Sequence, residues 1–221
     1  MNKIKEKFAF TLTEILITFV IIGIIAAITV PSVIKKYKDK ELVTRLKKTY
    51  STLTQVTNQI IAEEGSTTNW ATSPENIYNL YKKHLEVVKD CGQGEGCWAQ
   101  GRLARLNKTG YVNWNVASED RKFILADGTQ FMFGGDNSNW SSTCSFSENN
   151  QLSGTKDFCL LIHVDINGER KPNTIGRDIF VFALKKNGLY PAGCDYANSC
   201  TDALKGYGCA CRVLKENAIN Y

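Results

Sequence analysis

Twenty consecutive residues, Ile15 to Ile34, carry no charge, and that run constrains the chain more than any other feature in it. At a rise of ~1.5 Å per residue, a helix of this length reaches across the roughly 30 Å hydrocarbon core of a bilayer. No comparable stretch follows, so the run is a single N-terminal anchor or a targeting signal, with everything from Lys35 onward on one side of the membrane. A cleaved secretory signal has an apolar region of about 7 to 15 residues closed by a small-x-small site. Here the run continues past Ala26 and Ala27 straight into an amphipathic pattern. A plain signal anchor stays open as a reading.

Cysteine usage decides which compartment the remainder suits. The chain holds 8 cysteines against 2 histidines and 2 methionines, in none of the paired spacings of a zinc site. That composition predicts disulfides and an oxidising compartment. The charges argue the other way. Lys3, Lys5 and Lys7 precede the run, but Lys35, Lys36, Lys38, Lys40, Arg45, Lys47 and Lys48 follow it, so a count of positive charges would place the C-terminal part inside. The cysteines take precedence, because eight thiols without metal-ligand spacing make little sense in a reducing compartment. With 27 Lys and Arg against 22 Asp and Glu among 221 residues, the net charge of +5 is modest and otherwise dispersed. No nucleic acid partner is indicated. The length suits one domain with an appendage, or two small ones, and excludes a large multidomain enzyme.

The residues ahead of the run sharpen the reading. A short leader, Met-Asn-Lys-Ile-Lys-Glu-Lys-Phe-Ala, ends at Ala9 and is followed by Phe10-Thr11-Leu12-Thr13-Glu14. This resembles the class III signal of type IV pilins and type II secretion pseudopilins, in which a basic leader ends in a small residue before Phe-Thr-Leu-x-Glu; the family carries Gly where this chain has Ala9. The resemblance implies cleavage by a prepilin peptidase between Ala9 and Phe10, N-methylation of Phe10, and retention of the apolar helix. Counted from that cut, Glu14 is the fifth residue and Pro31 the twenty-second, the family's places for its acidic residue and its helix-bending proline. Independently of the family, a carboxylate within an apolar helix costs on the order of 2.5 to 3.5 kcal/mol at the bilayer centre, and less near the interface. Glu14 therefore calls for a positive partner, and the new amine of Phe10 on a neighbouring subunit would favour one axial offset in a helical bundle. Alternatively, Glu14 simply bends towards the interface.

Beyond Ile34 the pattern stays helical. Leu42, Leu46, Tyr50, Leu53, Val56 and Ile60 recur every three or four residues up to Gly65, which supplies a stop. One helix from Phe10 to Glu64 is predicted, its lower half in lipid and its upper half presenting an apolar face, with Gly23 and Pro31 expected to bend or open it. A coiled coil between subunits is the competing use of that stripe. Ser73-Pro74-Glu75 reads as a helix start, followed by Ile77, Leu80, Tyr81, Leu85 and Val88, with the end near Asp90. Trp98 to Val116 reads as a crossing loop. Phe123 to Ala126 and Thr129 to Phe133, joined by Asp127-Gly128, read as a hairpin; Phe158 to Val164 and Asp178 to Leu184 are two more strands. The expected class is α+β: a long N-terminal helix packed on a C-terminal antiparallel sheet, with disulfide-stapled loops. The parts are a leader (1–9), an anchoring helix (10–34), its amphipathic continuation (35–64) and an extracytoplasmic domain (65–221). The pilin resemblance implies this same arrangement.

Candidate sites are few. Asp165-Ile166-Asn167-Gly168 opens like many oxygen-rich calcium loops, and Asp178 could return a second carboxylate. The other reading is a turn at Asn167-Gly168 with Asp165 bonded to its own backbone. Pseudopilins often carry calcium in their C-terminal loops, similar in placement though not in ligand pattern. Cys91 and Cys97 suit a local bridge; Cys194, Cys200, Cys209 and Cys211 suit two more in a loop-rich tail; Cys144 and Cys159 remain, and spacing does not choose the pairing. His84 and His163 read as packing or surface residues. Trp70, Trp98, Trp114 and Trp140 fall in loops, as anchors or as a glycan-facing surface. No hydrolase, nucleotide-binding or metalloprotease motif occurs, and a structural subunit rather than an enzyme is expected.

Taken with the resemblance, these features imply a pilin-like subunit of a bacterial inner membrane. Prepilin peptidase would process it, an assembly platform would extract it from membrane lipid, and it would join related subunits in a type IV pilus or a secretion pseudopilus, in the periplasm or at the surface. The alternative is a signal-anchored extracytoplasmic domain that binds a ligand or glycan and does not polymerise.

Overall fold

The structure, a computed structural model, describes residues 11–98, 103–108, 111–112, 120–134, 140–146, 154–196, 198–201 and 205–221. Two compact units are present, Met1–Lys40 and Glu41–Tyr221. Helix α1 (Leu12–Glu64, 53 residues) contributes to both.

Within the first unit α1 is bare. Leu12, Leu16, Phe19, Val20, Ile22, Ile24, Ile28 and Val33 are all more than half exposed. The few hydroxyls in the run need no outside partner. Thr18 donates to the Ile15 carbonyl (2.8 Å), Thr29 to Ile25 (2.9 Å) and Ser32 to Thr29 (2.9 Å). Such back-bonding lets polar side chains lie in an apolar segment. The helix continues through Pro31.

In the second unit α1 meets a core. Leu42, Val43, Leu46, Thr49, Leu53, Val56, Thr57 and Ile60 are buried along one face, as the three-and-four spacing predicts. Tyr50 stacks on Phe182 with ring centroids 5.6 Å apart. A short helix, α2 (Thr67–Trp70), and α3 (Pro74–His84) follow. Ser73 caps α3 by accepting from the Asn76 N–H at 3.0 Å. The buried Tyr81 of α3 shares a 2.5 Å hydrogen bond with Thr57, fastening α3 to α1.

The sheet has six strands: β1 (Val87–Gly92), β4 (Arg121–Leu125), β5 (Gln130–Phe133), β6 (Phe158–Asp165), β7 (Ile179–Lys185) and β8 (Gly188–Pro191), antiparallel in that order. β2 (Leu103–Ala104) and β3 (Tyr111–Val112) form a separate pair inside the expected crossing loop. The class is therefore α+β, a long apolar helix packed on an antiparallel sheet and braced by disulfides. Phe131, Phe133, Ile162, Val164, Phe180 and Phe182 share one core with the α1 stripe. Their alternate neighbours face the other way. Met132 and Ile179 pack with Trp98, Leu103 and Ile175, and Leu161, Val181 and Ala183 pack with Ala192. Burial on both faces explains why β6 and β7 read as continuous apolar runs rather than alternating ones.

Three expectations need correction. The helix expected to end near Asp90 stops at His84, and Val87–Gly92 is strand β1. Its β-branched Val87-Val88 start pairs with β4, and Asp90 is held by Lys82 (2.7 Å) and the Tyr78 hydroxyl. The sheet has six strands rather than four, with β1 and β8 added at its edges. The tail expected to be loop-rich contains α4 (Cys209–Glu216), closed by Asn217 in the left-handed conformation.

Candidate functional site

The two places singled out in the sequence lie in different units. In the first, Ala9 and Phe10 fall outside the described residues, and Thr11 to Glu14 form the start of α1. The Thr11 N–H and hydroxyl both donate to Glu14 Oε2 at 2.8 Å, while the Glu14 N–H donates to the Thr11 hydroxyl oxygen at 3.2 Å. This is a capping box, Thr at the N-cap and Glu three residues on, which satisfies two otherwise open donors of the first turn. Glu14 thus has a local partner besides any intermolecular one. The Thr-x-x-Glu spacing is the sequence signal for this cap.

The second place is the connection between β6 and β7. Asp165 closes β6 and Asp178 precedes β7; both are fully buried. Each first acts on its own turn. Asp165 Oδ1 accepts from the Asn167 N–H at 3.1 Å. Asp178 accepts from the Asn173 N–H through Oδ2 (2.7 Å), from the Thr174 N–H through Oδ1 (2.6 Å), and from the Asn167 side chain. Gly168 adopts φ +66°, and a Cβ there would lie 2.8 Å from the Gly128 carbonyl, so the β4–β5 turn abuts this connection and leaves no room for a side chain.

Those bonds leave oxygens over. Asp165 Oδ2, Asn167 Oδ1, Asn173 Oδ1 and Gln130 Oε1 are buried without a hydrogen-bond partner among the described residues. Gln130 belongs to β5 and sits directly opposite Asp165 in the β5–β6 ladder, so both side chains share one face. Burial, and then the nearby Asp178 charge, push the Asp165 carboxyl up to about 8. Burial likewise raises Asp178 to about 6 against its hydrogen-bond donors. Two buried carboxyls thus lie close together in the connection, with buried oxygens nearby in the chain that have no hydrogen-bond partner among the described residues. Carboxylate and amide oxygens are the donors of hard cations such as calcium, so the residues fit that group. Among the described residues no three or more His, Cys, Asp or Glu side chains gather in a group that could hold a metal ion.

Asp165, Asn167 and Asp178 come together as their spacing suggested. Gln130 and Asn173 escaped the sequence reading: Gln130 lies on another strand, and only the register brings it here. Its one signal was a lone amide beside the aromatic alternation of Phe131 to Phe133.

The cysteines pair completely, as Cys91–Cys97, Cys144–Cys159, Cys194–Cys211 and Cys200–Cys209. Cys209 and Cys211, two apart on α4, project about 200° apart around the helix and so reach different partners. Trp70 ends α2 and is buried, Trp98 is buried, and Trp140 is half-buried and bridges to Leu160; Trp114 lies outside the described residues. His163 is buried on the sheet, and desolvation lowers its imidazole to about 4. His84 Nε2 lies 3.3 Å from Glu63 at the end of α3.

By length and composition, α1 is a candidate membrane span. A sequence profile for a family of unknown function (DUF6613) matches residues 32–218. The chain belongs to that family. No curated protein and no solved structure matches it. The family match begins one residue after Pro31 and takes in the second unit up to residue 218, including the acidic connection and all eight cysteines.

Proposed function

We propose that the chain is a pilin-like structural subunit, cut between Ala9 and Phe10 by a prepilin peptidase, methylated at Phe10, and assembled from the inner membrane into a type IV pilus or a secretion pseudopilus. The observation that carries this reading is the Phe-Thr-Leu-Thr-Glu entry into a helix whose apolar run is bare along its length. An exposed apolar surface of that extent must be covered by lipid or by other copies. A polymer built on bundled helices offers both in turn, lipid before assembly and neighbouring helices after it. The disulfide-braced α+β unit is suited to an oxidising space, which supports an outward-facing domain.

The test is intact mass and N-terminal sequencing of the protein from its native membrane. A chain beginning at methylated Phe10 is the expected result. A chain that retains Met1 to Ala9 would overturn the reading and leave a signal-anchored extracytoplasmic domain that does not polymerise.

A further inference from the structure

Positive charge crowds the end of the apolar run where an outward-facing domain gives it no role in orientation. Residues 35 to 40 hold four lysines against one aspartate and follow Ile34 without a break in α1. Lys35, Lys36, Lys38 and Lys40 are all exposed, and Tyr37 among them is 72% exposed. The basic residues further along α1 have other work. Arg45 pairs with Glu41 at 2.9 Å, and Lys48 with Asp127 at 2.7 Å. From Lys35 to Lys40 the helix rises about 7.5 Å, which matches the depth of one headgroup layer outside the hydrocarbon core.

The arrangement around the axis says what kind of partner fits. With Lys35 as origin, Lys36, Lys40 and Lys38 lie at about 100°, 140° and 300° around the helix, and Tyr37, at about 200°, stands in the widest gap. A surface made for one protein partner would gather its charges on one side. A ring of charge at the end of a span suits a partner that surrounds the helix, and tyrosine is a residue of the same interfacial layer. We propose that Lys35, Lys36, Lys38 and Lys40 form a collar that binds the phosphates of anionic lipid headgroups, with Tyr37 seated among those headgroups. The long lysine stems let each ammonium group reach a phosphate while the helix axis stays upright. The collar fixes the depth of α1, and drawing the helix out of the membrane requires shedding an anionic lipid shell. This inference rests on α1 spanning a membrane, as the proposed function requires, and not on cleavage, methylation or polymerisation.

The test uses the full-length chain in phosphatidylcholine vesicles doped with spin-labelled phosphatidylglycerol or spin-labelled phosphatidylcholine. The immobilised fraction of each label gives their relative association with the protein. A preference for phosphatidylglycerol of at least roughly fivefold is expected, the effect of one lysine held close to an anionic headgroup layer. High salt should suppress it, since the attraction is electrostatic and screened. Changing Lys35, Lys36, Lys38 and Lys40 together to Gln should cut the preference at least ~3-fold, whereas changing the same four to Arg should keep it. Near-ultraviolet dichroism should stay unchanged in both variants, because these exposed side chains lie outside the second unit. Immobilised lipid without a preference for phosphatidylglycerol would overturn the collar while leaving the span intact. A preference undiminished in the Gln variant would also overturn it and assign the selectivity to Lys3, Lys5 and Lys7. If neither label is immobilised, α1 does not span, and the membrane reading falls together with the collar.

Discussion

Glu14 carries two demands on one carboxylate. In the isolated chain it closes a capping box with Thr11; in the proposed filament it also meets the amine of a neighbour. The demands separate by mutation. Glu14→Ala should still insert in the membrane and be processed, yet yield few filaments in a sheared-surface or pelleting assay; a normal yield would reject the charge-pairing role. Asp90 offers a residue-scale prediction of another kind. Burial by itself would raise its carboxyl, but Lys82, the Tyr78 hydroxyl and the Gly92 N–H hold it below the ordinary range. A folded-state value below the unfolded one gives stability that is present above the unfolded value near 4 and lost as pH falls through the folded value. Asp90→Asn should therefore flatten the acid side of a plot of unfolding midpoint against pH below about 4, with little change at the Asp-independent neutral plateau slope. Legibility was uneven among residues. Asp165, Asn167 and Asp178 were readable because they lie close along the chain, whereas Gln130 was not, because strand register is a tertiary property.

Among elements, α1 was the most legible, since its apolar positions repeat with the helix period over many turns and its buried face is the expected one. Leu46 and Leu53 are fully buried at the centre of that face. Truncating either to Ala should cost about 2–5 kcal/mol of stability in the second unit, read by denaturant unfolding of near-ultraviolet dichroism, with membrane insertion unchanged. Elements that escaped had weak or conflicting local signals. Leu85 and Val88 continue the period of α3 by coincidence, but Val88 is 65% exposed on an edge strand. β8 is four residues with a glycine and a proline, and its pairing with β7 supplies what local propensity does not. α4 is only eight residues long, too short for a clear helix period, and its burial of Cys209, Ala210, Cys211 and Val213 comes from packing and bridging.

On the scale of the molecule, the division of labour was legible from composition alone: an apolar run with no cysteine, then a longer region holding all eight. Its counterpart is an experiment on the intact chain. Alkylation without reduction should give no mass shift, because every cysteine is paired. Reduction should unfold the second unit while residues 12–40 keep their helical signal in micelles, since removing native bridges from small extracellular domains typically costs about 2–5 kcal/mol. Persistence of a cooperative native transition after full reduction would show that the two-sided core is sufficient without its bridges.

The C-terminal bridges also have an order in time. Cys200–Cys209 lies inside Cys194–Cys211, one bracket within another, and both close on α4. Ala192, covering the outer face of β7, accepts a backbone hydrogen bond from Cys211. A chain made from its N-terminus can therefore pair its central strands before this face is sealed, because the sealing segment from Cys194 to Cys211 follows β8. The segment from Cys194 to Cys211 thus acts as a latch on the folded sheet, and a chain truncated before Cys209 would keep Cys194 and Cys200 without their partners.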